Sequence, residues 1–182
     1  PPAESVVETE PVGIATTKEA DFTLTYANQM KPWYEEYERC RINIKKYEPD
    51  GSTPIAGVEF ELKFVKQAIT PTNKMHPNFK RLLKEGETTV RHTDANGEVF
   101  FDNLDQGEYE ITEIKTKPGM GLMKEKIKVT LPFTMTFNEA LKYKNVKFST
   151  AKEDINYTGK WYFYECTYEI TNNQLFGMPM TG

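Results

Sequence analysis

Three polar side chains sit where strand alternation turns them toward a core. Ile42 and Ile44 mark the inward side of the run beginning at Cys40, so Lys46 shares that side and Lys45 points out. Tyr109 and Ile111 likewise turn Glu113 inward. Tyr168 and Ile170 turn Asn172 inward and Asn173 outward. An inward lysine, glutamate and asparagine are costly unless they satisfy one another. From residue chemistry alone, the plain arrangement is a buried Lys–Glu ion pair hydrogen-bonded to a carboxamide.

More familiar reactive sets are missing from the sequence. His76 and His92 are its only histidines, and neither stands at a metal-ligand spacing from cysteines or acids. Both read as surface or loop residues, and no metal or cofactor is expected. The chain has three serines, no G-x-S-x-G, no P-loop and no dinucleotide fingerprint. An enzyme acting on other molecules is therefore not expected. Cys40 and Cys166 are too few for a disulfide scaffold or a zinc site. Asn156–Tyr157–Thr158 matches a glycosylation acceptor, a tripeptide that often arises by chance.

The elements that position these groups are strands. Threonine occurs 21 times in 182 residues, aromatics make up 13%, and alanine is scarce. Alternating runs are expected from Cys40 to Lys46, Val58 to Val65, Thr88 to His92 and Glu98 to Phe101. Others follow at Tyr109 to Ile114, Lys124 to Leu131, Asn145 to Thr150 and Lys160 to Thr171. Turn signals at Asp94–Gly97, Asp105–Gly107 and Pro118–Gly121 separate several of them. A short helix is expected around Asn78 to Lys84. Many short strands with little helix predict an all-β sandwich or barrel.

The net charge of −4 lies in one place. Residues 1–40 hold 8 acids and 3 bases, and the remainder holds 19 acids and 20 bases. A neutral body offers no footprint for a phosphate backbone, so nucleic acid is not an expected partner. Residues 1–39 read as an acidic arm or linker, with one added strand possible at Phe22 to Tyr26. The main domain is expected at 40–174. Mean hydropathy is −0.64, and no apolar run approaches the length of a bilayer span. The chain starts Pro-Pro without Met, which reads as a mature or excised fragment.

Three stretches together resemble a known family: INIKKYEPDGSTPIAGVEFEL (42–62), TDANGEVFFDNLDQGEYEITEIKTKPGMGL (93–122) and YEITNNQLFGMPMTG (168–182). They look like a Cna B-type domain, the reverse-immunoglobulin module of Gram-positive pilins and adhesins. The resemblance covers about residues 41–182, with insertions at 67–86 and 132–160. It implies an all-β, immunoglobulin-like β-sandwich with loop insertions. It also implies a spontaneous Lys–Asn isopeptide bond assisted by a buried Glu, roles that fall on Lys46, Asn172 and Glu113. Burial disfavours charge, leaving Lys46 as a neutral amine nucleophile and Glu113 as a neutral acid that polarises the carboxamide. Contact between the groups supplies the effective molarity.

The resemblance also relates the two cysteines. In this family the first and last strands are parallel neighbours. Cys40 lies six residues before Lys46 and Cys166 six before Asn172, which implies a Cys40–Cys166 disulfide; two buried free thiols are the alternative.

Met178, Pro179, Met180, Thr181 and Gly182 resemble the sortase signal Leu-Pro-x-Thr-Gly, with Met in place of Leu. In the segment 175–182, the resemblance implies sortase as partner. It also implies attachment through Thr181 to peptidoglycan or a neighbouring pilin, outside a Gram-positive cell. The pilin Tyr-Pro-Lys motif is absent from the sequence, which favours a stalk or a minor, basal pilin over a shaft subunit. The alternative is an adhesin module binding a host ligand through the 67–86 insertion, with Lys74, His76, Lys80, Arg81 and Lys84 beside Met75 and Phe79. A solvated loop is the default reading of that patch.

Overall fold

The computed structural model describes residues 38–68, 79–154 and 156–172. The arm before Glu38, the patch residues Lys74, Met75 and His76, and the segment 175–182 lie outside these. The elements in chain order are β1 (Cys40–Lys46), β2 (Glu59–Gln67), β3 (Thr88–His92), β4 (Glu98–Leu104) and β5 (Gly107–Lys115). Then come β6 (Ile127–Leu131), β7 (Phe133–Met135), α1 (Phe137–Leu141), β8 (Val146–Glu153) and β9 (Trp161–Ile170).

The strands form two sheets. One is four-stranded, in the order β3-β2-β5-β6, and all its pairs are antiparallel. The other is five-stranded and built around β9. One edge of β9 pairs with β8 along nearly its whole length. On the other edge, residues 161–163 pair with β7 and residues 165–170 run parallel to β1. β4 closes that side against β1. The fold is therefore an all-β sandwich, with one short helix among the described residues.

Alternation explains the layers. In β1 the burial pattern is strictly every second residue, with Cys40, Ile42, Ile44 and Lys46 inside. From the facing sheet, Phe60, Leu62 and Phe64 of β2 and Tyr109 and Ile111 of β5 are fully buried or nearly so. Phe64 and Tyr109 stack with ring centroids 4.5 Å apart. This inner layer supplies the apolar burial that holds the sheets together.

The helix lies elsewhere than expected. Residues 79–84 are not helical: Phe79 and Leu83 turn into the body, and the Leu82 N–H donates to the Asn103 carbonyl at 2.8 Å. Side-chain anchoring to the sandwich outweighs local propensity there. The helix is instead α1, within the expected 132–160 insertion, and a capping box starts it. The Glu139 N–H donates to Thr136 Oγ1 at 3.1 Å, and the Thr136 N–H donates to Glu139 Oε1 at 2.9 Å.

A buried carboxylate sits at the β4–β5 turn. Asp105 is fully buried; its Oδ1 accepts from the Gln106 N–H at 2.9 Å and its Oδ2 from Gln67 Nε2 at 3.0 Å. Burial pushes its carboxyl from 3.8 up to about 6, and the Arg81 guanidinium at 3.6 Å does not offset it. A folded value above the unfolded one favours the fold fully below about 3.8. That contribution is lost as pH rises through about 6. Measured by urea denaturation across this window, wild type is expected to lose roughly 1–3 kcal/mol relative to Asp105→Asn.

Candidate crosslinking site

Lys46 is the last residue of β1, and its backbone is held on both sides. Its N–H donates to the Gly97 carbonyl at 2.8 Å, and its carbonyl accepts from the Ile55 N–H at 3.0 Å. Gly97 has a φ of 75°, and a Cβ there would stand 2.6 Å from the Lys46 carbonyl oxygen and 2.9 Å from Pro54 Cβ. Glycine is thus required where the 93–97 turn crosses the end of β1. Gly97→Ala is expected to cost roughly 2–5 kcal/mol, measured by denaturation in an Asn172→Ala chain so that no crosslink masks the loss.

The Lys46 side chain runs into the core and meets the facing sheet. Its Nζ lies 3.4 Å from Glu113 Oε1 and 3.3 Å from Oε2, with both side chains completely shielded from solvent. Glu113 is near the end of β5, next to Phe60 of β2. The same Nζ donates to Asn172 Oδ1, so the amine abuts the carboxamide carbonyl. Asn172 lies two residues beyond the end of β9, half-buried, and its Nδ2 donates to the Gly121 carbonyl. Each sheet therefore contributes to one polar cluster: Lys46 and Glu113 lie on inward strand faces, and Asn172 reaches it from beyond the end of β9.

Burial lowers the Lys46 pKa, and the neighbouring Glu113 carboxyl works in the opposite direction. The net direction is toward a neutral amine, the form with a free lone pair. Glu113 is not symmetric: Oε1 accepts from the Met123 N–H at 2.9 Å, while buried Oε2 has no hydrogen-bond partner among the described residues. The arrangement holds one amine against both a carboxyl and a carboxamide, which suits acyl transfer from Asn172 to Lys46. The Met123 and Gly121 contacts had no sequence signal beyond the turn residues Pro118 to Gly121.

The expected cysteine pairing is corrected. In the parallel β1–β9 pair, Ile170 lies opposite Lys46 and Cys166 opposite Ile42. Equal six-residue offsets would have required Asn172 to lie opposite Lys46; the actual register is two residues shifted. A two-residue stagger separates Cα atoms by about 8 Å on neighbouring strands, beyond the roughly 7 Å that a bridge spans. Both cysteines are free and buried, and burial pushes both thiols well up. They pack as small apolar residues.

Other candidate features lie apart from this cluster. His92 is exposed at the end of β3. Within the 67–86 insertion, Phe79 lies under the Arg39 guanidinium, 4.9 Å from it, and Arg81 faces Asp105. Lys80 and Lys84 are exposed. In the aromatic run at the start of β9, Phe163 is buried and Trp161 packs edge-on against Phe137 at 4.8 Å. An open groove of about 740 Å³, lined by residues including Arg41, Arg91 and Phe100, contains none of Lys46, Glu113 and Asn172. Among the described residues, no cluster of ligand-type side chains could hold a metal.

The two sheets close over Lys46 and Glu113, with the half-buried Asn172 set against the lysine. The family model of the SpaA prealbumin-like fold domain matches residues 40–147, more than half of the chain, and the chain belongs to that family. Among solved structures it is similar to the minor pilin GBS52 of Streptococcus agalactiae, with 27% identity over 52% of this chain and 39% of that one, at a TM-score of 0.37. Similarity extends to the major pilin SpaD of Corynebacterium diphtheriae, with 18% identity over 74% and 31% of the two chains, at a TM-score of 0.44. A streptococcal ancillary pilin is 17% identical over 78% and 50%, at a TM-score of 0.37. The chain thus spans at most half the length of these three structures. A comparison with curated protein sequences finds no match.

Proposed function

We propose that this domain is a structural stalk or minor-pilin module, sealed by a self-formed isopeptide bond between Lys46 and Asn172. The observation that carries the reading is the contact of Lys46 Nζ with both the Glu113 carboxyl and the Asn172 carboxamide inside the sandwich. The amine lone pair attacks Asn172 Cγ, Glu113 shuttles a proton from Nζ to Nδ2, and ammonia leaves. No second protein is needed, because the fold supplies the orientation.

Membership of the SpaA family and likeness to Gram-positive pilins support a place on the cell surface. The Met178 to Gly182 segment, similar to a sorting signal, supports sortase as partner and covalent attachment through Thr181 to cell wall or a neighbouring pilin. Intact-mass measurement of the purified chain tests the crosslink. Wild type is expected one ammonia lighter than its sequence mass. Lys46→Ala and Glu113→Ala should each carry the full mass of their own sequence. A wild-type chain at full sequence mass would overturn the reading.

A further inference from the structure

The reading above gives roles to Lys46, Glu113 and Asn172 and none to the loop between β5 and β6. That loop touches two of the three groups through its backbone. The Met123 N–H donates to Glu113 Oε1 at 2.9 Å, and the Gly121 carbonyl accepts from Asn172 Nδ2. Gly121 and Asn172 are 51 positions apart in the chain, so this contact exists only in the folded domain.

The two contacts have chemical consequences. A carboxylic proton on Oε1 would point against a backbone N–H donor, whereas on Oε2 it meets none. Oε2 is also 3.3 Å from Lys46 Nζ, within reach of the proton to be moved. At Asn172, a carbonyl accepting from Nδ2 fixes the plane of the carboxamide and leaves Oδ1 turned to the amine. The same carbonyl continues to accept as Nδ2 gains a proton.

We propose that, if the crosslink of the preceding section forms, the β5–β6 loop is the element that positions it. Met123 directs proton transfer through Glu113 Oε2, and the Gly121 carbonyl holds the departing nitrogen of Asn172. In this step the Nζ–Cγ bond forms and the Cγ–Nδ2 bond breaks. Oε2 gives its proton to Nδ2 and takes one from Nζ, so ammonia leaves and Glu113 ends as it began. Met123 is a positioning residue acting through Glu113.

The test follows intact mass against time in freshly synthesised full chain. Met123→Pro deletes the N–H, whereas Met123→Ala removes the side chain and keeps it. Met123→Pro is expected to crosslink about tenfold more slowly than Met123→Ala, or worse. In a Lys46→Ala chain, which cannot crosslink, Met123→Pro should leave the Tm within about 2 °C. Hydrogen exchange by NMR in the Lys46→Ala chain reads the contacts without any proline. The Met123 amide and one Asn172 carboxamide proton are expected to be protected.

Equal rates for Met123→Pro and Met123→Ala would overturn the loop's role. So would free exchange of both protons. A slower rate matched by a large loss of Tm in the uncrosslinkable chain would assign the effect to loop folding and overturn it too. Wild type that keeps its ammonia would instead overturn the crosslink itself.

Discussion

Asn172→Ala is expected to lower the unfolding temperature by roughly 10–20 °C, the fall that about 4–5 kcal/mol represents in a domain of this size. The variant removes the electrophile and little else, because Asn172 is half-buried beyond the end of β9. The Lys46–Glu113 pair stays intact in the core. What is lost is a crosslink between residues 126 positions apart, whose closure restricts the unfolded chain. Lys46→Ala should fall further, because it also leaves Glu113 buried without its Nζ partner and opens a cavity. The difference between the two variants measures that second effect. Scanning calorimetry at one pH checks both. An Asn172→Ala chain melting within about 2 °C of wild type would show that no crosslink contributes.

The second large effect is mechanical. Pulled from the start of β1 and from a point beyond Asn172, the wild-type domain is expected not to lengthen. The geometry explains why: β1 and β9 run parallel, so tension enters at one end of the pair and leaves at the other. It travels along β1 to Lys46 and crosses the proposed amide to Asn172. Everything between them is bypassed. In Asn172→Ala the same pull should release the intervening chain, 126 positions long, an extension of roughly 400 Å. Single-molecule force–extension traces of the two chains decide the matter. A release of that length from wild type would remove the case for a load-bearing role.

Both results rest on placements that were legible before the fold. Alternation within a strand is a local property with period two, so Ile42 and Ile44 sufficed to turn Lys46 inward, and Tyr109 and Ile111 to turn Glu113 inward. The cysteines show where that logic stops. Their equal offsets from Lys46 and Asn172 were real, but pairing them needed the register between two strands. Register is set by how β1 also meets β4 and how β9 also meets β8, with a bulge between Cys40 and Ile42. The helix was misplaced for a related reason. A short helix is expected around 78–84, yet Phe79 and Leu83 are drawn into the sandwich as anchors.

The sequence by itself determined the all-β class and the inward sides of β1, β5 and β9, with Lys46 and Glu113 on two of them. These follow from period-two alternation and from motifs carried on single stretches. Only the tertiary structure decided that the cysteines stay apart, that Asn172 works from beyond its strand, and that the β5–β6 loop supplies Met123 and Gly121 to the site. Those are distances between segments far apart in the chain. They are set by sheet register and by the packing of one sheet on the other, and neither is written in any local pattern.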